Sequence, residues 1–212
     1  RRVLFRSGLV PLDAADRVIR PAILWNDQRT GRQCAWITER AGGLDGLLAL
    51  TNNPMLTGYT GGKIVWLRDE EPAHYDRLAR FLNPKDHIRL LLTGEHATDV
   101  SEGSGTGLFD VANRRWSTEL LERIGIPTSM VPRAYESHEV TGALRDDLAD
   151  RLGLPRSLPV MGGGGDAVIQ TTGSGLIDGG IAQTIIGTAG IAACALDSCA
   201  PNPGGRLQIF CN

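Results

Sequence analysis

Apolar positions fall in short runs broken by glycine, proline and charge. Val10 to Leu12 and Val18 to Leu24 flank the polar stretch Asp13-Ala14-Ala15-Asp16-Arg17, which predicts a hairpin delivering Trp25. Asn26 or Asp27 is then placed to cap a helix whose apolar side is Cys34, Trp36 and Ile37. Thr60 precedes a helical stretch, Gly62 to Arg68, with Ile64, Val65 and Leu67 at buried spacing, and another helix, about Ala73 to Arg80, follows Pro72. After a short Phe81-Leu82 strand, Pro84 opens a helix through Leu92 that stops at Thr93-Gly94. Leu120, Leu121 and Ile124 make a short helix closed by Gly125 and Pro127, and Asp146 to Leu152 another, closed by Gly153.

From Leu158 the pattern becomes strand (Pro159-Val160-Met161), then a glycine block, then an apolar helix from Ala167. Ile181 to Ile186 and Ile191 to Leu196 predict two strands joined by Gly187-Thr188-Ala189-Gly190. Strands alternating with helices indicate an α/β class. A boundary falls near Gly173 to Gly180, dividing the chain into residues 1–174 and 175–212; the second piece is too short to bury a core alone.

The 212 residues carry 22 basic and 24 acidic side chains, a net charge of −2 that gives no reason to expect nucleic acid or an anionic membrane as partner. Glycine supplies 27 residues, well above the usual share of about 7%, concentrated between Met161 and Gly205, so it reports tight turns in one region. The longest uncharged stretch, Gly179 to Leu196, approaches the ~20 residues of a membrane helix but contains polar residues and glycines, and its Ile pairs read as buried strands. The first residues show no basic-then-apolar signal pattern, and Arg1 to Ser7 read as a cut end. Cys34, Cys194, Cys199 and Cys211 form no Cys-x-x-Cys pair and read as buried reduced thiols of a cytoplasmic protein. His74, His87, His96 and His138 have no metal-ligand spacing, so no protein metal site is expected. Trp25, Trp66 and Trp116 read as packing residues, and Arg68-Asp69-Glu70-Glu71 as a solvated helix end.

The chemistry concentrates at Gly162-Gly163-Gly164-Gly165-Asp166. Three readings compete. Gly162, Gly164 and Ala167 match the Gly-x-Gly-x-x-Ala of a dinucleotide turn, but Asp166 would set a carboxylate against the pyrophosphate, and the acidic ribose ligand expected ~20 residues on is missing. The glycines could equally serve close packing of strand on helix. In the third reading Asp166 is a catalytic carboxylate at a strand's carboxyl end, held ionised by a helix N-terminus and able to accept a proton from a sugar hydroxyl. The turn Gly187-Thr188-Ala189-Gly190 can cradle an anion with its amides and the Thr hydroxyl, or be a plain hairpin turn. An acidic base and a phosphate-cradling turn are together what phosphoryl transfer needs. Thr57 to Ile64 fails the Walker A pattern, since Ile64 follows Lys63 where Ser or Thr is required. No Gly-x-Ser-x-Gly elbow occurs, which disfavours an α/β-hydrolase.

Gly58-Tyr59-Thr60-Gly61-Gly62-Lys63-Ile64-Val65-Trp66-Leu67-Arg68-Asp69-Glu70 resembles, position by position, the first signature of the FGGY family of carbohydrate kinases. Ile23-Leu24-Trp25-Asn26-Asp27-Gln28-Arg29-Thr30, Pro84-Lys85-Asp86, Leu92-Thr93-Gly94-Glu95, Thr98-Asp99 and Ser104-Gly105-Thr106 are similar to its xylulokinase branch. The likeness continues through Asp110-Val111, Trp116-Ser117, Val140-Thr141-Gly142 and Pro203-x-Gly205-Arg206.

The resemblance implies a two-lobed ribonuclease-H-like, actin-like ATPase fold, present here in part. It also implies ATP-dependent phosphorylation of a ketopentose, D-xylulose to D-xylulose 5-phosphate, with Mg2+. Asp166 falls on the family's proton-accepting aspartate, and Gly187, Thr188 and Gly190 fall on the turn that contacts nucleotide phosphates. Gly58, Tyr59, Asp27 and Gly165 fall on the sugar side, although Gly58 brings no side chain; Asp27 and Arg29 read either as an ion pair at the pocket edge or as a helix-start carboxylate and a solvated Arg. The expected partners are the sugar and ATP, with a homodimer left open.

Three positions depart from the pattern. The opening Asp-x-Gly-Thr strand is absent, Arg6-Ser7 stand where the family has a sugar-binding Met-His pair, and Ala167 replaces the Asn after the catalytic Asp. The chain therefore reads as a fragment, lacking the N-terminal strand region and most of the C-terminal lobe and inactive by itself. Kinases of another sugar or polyol, or a non-catalytic sugar-binding module of the same fold, are the alternatives.

Overall fold

The computed structural model describes residues 8–187 and 190–212. Strand β1 (Gly8–Leu12) sits between β2 (Ile23–Leu24) and β3 (Arg80–Leu82) in a three-stranded antiparallel sheet. All five residues of β1 are buried, which is why its sequence is a continuous apolar run. The anticipated hairpin forms with a wide loop: Leu12 bridges Val18, while Leu9 pairs with Ile23. The buried Asp13 carboxylate closes the turn, accepting from the amides of Ala15 (2.9 Å) and Arg17 (3.0 Å).

Helices α1 (Gly31–Arg40), α2 (Gly43–Thr51) and α3 (Thr60–Glu70) follow. Neither Asn26 nor Asp27 caps α1; its N-cap is Thr30, and the Asp27 carboxylate instead accepts from its neighbour Arg29, a local contact that competes with capping. Helix α4 (Pro72–Tyr75) ends earlier than its sequence predicts, because Arg80 is drawn into β3 opposite Leu12. Next come α5 (Pro84–Thr93), β4 (Ala97–Asp99), α6 (Val100–Ser104), β5 (Phe109–Asp110), β6 (Arg115–Trp116), α7 (Thr118–Ile124) and β7 (Arg133–Tyr135). The sequence ends with β8 (Val140–Ala143), α8 (Asp146–Leu152), β9 (Pro159–Met161), α9 (Asp166–Gly173), β10 (Ala182–Ile186) and β11 (Gly190–Cys194).

One apolar cluster joins Leu9, Ile37, Leu47, Ile64, Leu67 and Phe81 to Leu108, Leu120 and Ile124. Trp116 packs edge-on to Phe81 and Phe109, and Trp66 also lies against the core, as expected. Trp25 does not: it is 48% exposed, because β2 ends just before it and the chain turns outward. The charge run at the end of α3 is likewise not simply solvated. Glu70 pairs with Arg32 (2.5 Å), Asp69 accepts from Gln33 (3.1 Å), Glu71 pairs with Arg20 (2.8 Å) and Arg68 donates to the Ile124 carbonyl (2.9 Å).

All four cysteines are free thiols, but only Cys34 and Cys211 are buried; Cys194 and Cys199 are exposed. That corrects the expectation that all four would be buried. Residues 199–212 fold back on the helices: Asn53 Nδ2 donates to the Ile209 carbonyl and Asn53 Oδ1 accepts from the Ile209 amide, both at 2.8 Å, and the Cys211 amide donates to Ser104 Oγ (3.2 Å). Among the described residues no helix is long and apolar enough to cross a membrane.

Candidate active site

Strand β9 pairs antiparallel with β8 and delivers the glycine block directly into α9. Gly162 leaves no room for a side chain, since a Cβ there would lie 2.8 Å from the Glu136 carbonyl oxygen; Gly163 adopts the left-handed φ of +69°. The amides of Gly162 and Gly163 donate to the carbonyls of Glu139 (2.9 Å) and Ser137 (3.0 Å), and the Gly165 amide to Ser101 Oγ (2.8 Å). Three of the four glycine amides are thus held by the protein itself, which removes them from the pyrophosphate that a dinucleotide turn would bind.

Buried Gly165 is the N-cap of α9, and half-buried Asp166 is its first residue. Asp166 Oδ1 accepts from the Ala167 amide (2.9 Å). Asp166 thus opens the first turn of α9, beyond the end of β9.

Behind the block lies an ion network that received no role in the sequence reading. Lys85 Nζ donates to the Gly162 carbonyl (2.9 Å) and pairs with Asp86 Oδ1 (2.9 Å) and Asp99 Oδ1 (2.7 Å). Asp86, fully buried, also pairs with Arg89 (3.2 Å) and accepts from Thr98 Oγ1 (2.6 Å). Burial pulls the Lys85 ammonium down, but the two carboxylates outweigh it and hold its pKa above the usual value.

Residues 25–29 run beside 57–58. A Cβ on Gly58 would come 3.1 Å from the Trp25 carbonyl oxygen, and Thr57 Oγ1 donates to Gln28 Oε1. Asp27 forms the ion pair with Arg29 (2.7 Å), whose guanidinium lies 4.7 Å over the Trp66 ring; this pairing holds the Asp27 carboxyl below its ordinary range. Tyr59 is buried in the core, its hydroxyl 3.4 Å from Gln208 Oε1.

Lys63 of the signature is fully buried and donates to the carbonyls of Thr57 (2.6 Å) and Tyr59 (3.3 Å), fixing the backbone on either side of Gly58. Burial, against the attraction of Asp27, lowers its pKa from 10.5 to about 8. In the folded state the lysine therefore loses its proton at lower pH than in the unfolded chain. The burial penalty is complete below about 8 and is relieved as pH rises toward 10.5. Stability should accordingly gain with pH across that window. Lys63→Met should abolish the gain in denaturant titrations; an unchanged gain in the variant contradicts this origin.

The segment before α3 and the glycine block meet at the start of α5. Thr60 Oγ1 donates to Asn83 Oδ1 (2.9 Å), Asn83 is the N-cap of α5, and Lys85 two residues on holds Gly162. Beyond α9, Ser174 Oγ donates to Gln183 Oε1 (3.0 Å), joining the helix end to β10. Strands β10 and β11 pair antiparallel from Ala182↔Cys194 to Ile186↔Gly190, so Gly187 and Gly190 frame the expected turn; Thr188 lies outside the described residues. No group of three acidic, His or Cys side chains among the described residues is placed to hold a metal ion. A cavity of about 100 Å³ between Arg80, His96 and Arg133 includes none of these residues.

The N-terminal domain of the FGGY family of carbohydrate kinases matches residues 4–173. Xylulose kinase of Escherichia coli (strain K12) is 36% identical over 205 residues, covering 97% of this chain and 42% of that protein. Xylulose kinase of Bacillus subtilis (strain 168) is 39% identical over 184 residues, 87% of this chain and 36% of that one. The crystal structure of a xyloylose kinase from Brucella ovis superposes with a TM-score of 0.88 at 38% identity, over 94% of this chain and 40% of that one. The chain spans about two fifths of the length of these curated relatives. Its mixed α/β architecture is part of the ribonuclease-H-like, actin-like fold of these kinases. On its signature, its matched span and its superposition, the chain belongs to the FGGY family of carbohydrate kinases.

Proposed function

We propose that the protein transfers the γ-phosphoryl group of ATP to a ketopentose, converting D-xylulose to D-xylulose 5-phosphate. The observation that carries this reading is the Asp166 carboxylate in the first turn of α9, directly after a block of four glycines that contributes no side chains of its own. Asp166 accepts the proton of the sugar hydroxyl as its oxygen bonds to the γ-phosphorus. The bond from that phosphorus to the bridging oxygen breaks, and ADP leaves with the electron pair. Gly58, Tyr59, Asp27 and Gly165 line the sugar side; for buried Tyr59 this means its backbone. The Gly187, Thr188 and Gly190 turn holds the phosphates through its amides, with Mg2+ neutralising their charge when bound. Residues 1–174 form the sugar-side lobe and 175–212 part of the nucleotide-side lobe, a division supported by the end of the family match at residue 173. The free thiols suit a cytoplasmic setting.

The test is ADP release by the protein expressed from its complete reading frame. ADP should appear in step with D-xylulose 5-phosphate and depend on the sugar; ADP release indifferent to D-xylulose contradicts the reading. A panel of ketopentoses and polyols in the same assay separates D-xylulose from another acceptor. A binding module without turnover is the second reading, favoured by Ala167, which offers Asp166 a backbone amide and no side-chain donor. Calorimetric binding of D-xylulose with no phosphorylated sugar after prolonged incubation with ATP would select it.

A further inference from the structure

We propose that Lys85, Asp99 and Ser101 are positioning residues for Asp166, holding the glycine block at both ends so that the carboxylate keeps one place. The proposal rests on the kinase reading above and adds to it which residues fix the base.

Four consecutive glycines form the segment with the greatest backbone freedom a chain can have, yet a general base must sit within about 0.5 Å of its working position. Something other than the block must supply the rigidity. At its start, Lys85 Nζ donates to the Gly162 carbonyl (2.9 Å). At its end, Ser101 Oγ accepts from the Gly165 amide (2.8 Å), one residue before Asp166. Asp99, fully buried, joins the two tethers: Oδ1 pairs with Lys85 (2.7 Å), while Oδ2 accepts from the Ser101 hydroxyl and from the Ser101 amide (2.8 Å).

Three oxygens surround the Lys85 ammonium: it donates to the Gly162 carbonyl and ion-pairs with Asp86 Oδ1 and Asp99 Oδ1. The Ser101 hydroxyl gives its one hydrogen to Asp99 and keeps a lone pair for the Gly165 amide. The placement of Lys85 argues the same way. It lies in the first turn of α5, where the helix dipole disfavours a cation, so its position is explained by the carboxylates and the glycine carbonyl it meets.

Ser101→Ala removes the second tether and leaves Lys85, Asp86 and Asp99 intact. In the protein expressed from its complete reading frame, kcat for D-xylulose phosphorylation should fall by about 10-fold or more with KM for D-xylulose essentially unchanged, since a displacement of about 1 Å can cost on the order of 10²-fold in rate. Lys85→Arg keeps a cation between the two carboxylates but not the single nitrogen that reaches all three acceptors, and it should give the same split. Asp166→Ala is measured alongside, and denaturant midpoints show whether each variant is folded. If Ser101→Ala and Lys85→Arg turn over normally while Asp166→Ala is dead, the positioning role is wrong and the kinase reading stands. Loss of kcat only in proportion to the unfolded fraction also overturns it. An active Asp166→Ala overturns the kinase reading, and this inference with it.

Discussion

Asp166→Ala is expected to lower kcat for sugar phosphorylation at least about 10²-fold, the low end for removal of a positioned general base. Sugar affinity should change little. Asp166 stands at the start of α9, where its carboxylate accepts from the Ala167 amide of the same helix. The substitution leaves the tethers on Gly162 and Gly165 in place, so the backbone of the block keeps its anchors while the proton acceptor is lost. Steady-state kinetics of the folded variant check this. A variant with near-normal kcat would remove Asp166 from the mechanism.

The largest stability effect is expected at Asp86→Ala. The carboxylate is fully buried and is the shared partner of Lys85, Arg89 and Thr98. The Arg89 guanidinium, 5% exposed, has its Nε and one further nitrogen without hydrogen-bond partners, so losing Asp86 removes the carboxylate it pairs with among the described residues. Removing one member of a buried pair costs about 3–5 kcal/mol, and in a protein of this size that lowers the melting temperature by roughly 6 °C or more. Glu119→Ala, which breaks the exposed pair with Arg123, should cost no more than about 1 kcal/mol. Denaturant titration of both variants tests the contrast; equal losses would show that burial of Asp86 is not what matters.

Much of this architecture was legible in local sequence. Pro84 at a helix start with Gly94 after its end, Asp146 to Leu152 before Gly153, and the strand, glycine block and helix around Asp166 all carry their own boundary signals, and each forms where the pattern puts it. Helix α2 was hidden by Gly43 and Gly46, residues of low helix propensity. Gly46 is there because a Cβ would come 2.3 Å from the Ala41 carbonyl oxygen, a close approach of α1 that no local pattern encodes. The shortening of α4 and the exposure of Trp25 follow from strand pairing across distant segments.

At the site, the block and its aspartate were visible as a motif, whereas the residues that hold them were not. Lys85, Asp99 and Ser101 lie more than sixty positions from the glycines in the chain, and only the fold makes them neighbours. One signal was present: a lysine in the first turn of a helix is electrostatically misplaced unless a carboxylate awaits it.

A crystal structure of the protein from the complete reading frame with D-xylulose bound tests the central claim most directly. One sugar hydroxyl should lie within about 2.6–3.2 Å of an Asp166 carboxylate oxygen, with the block still tied to Lys85 and Ser101. A bound sugar whose hydroxyls all lie out of reach of that carboxylate, directly or through one water, would contradict the account.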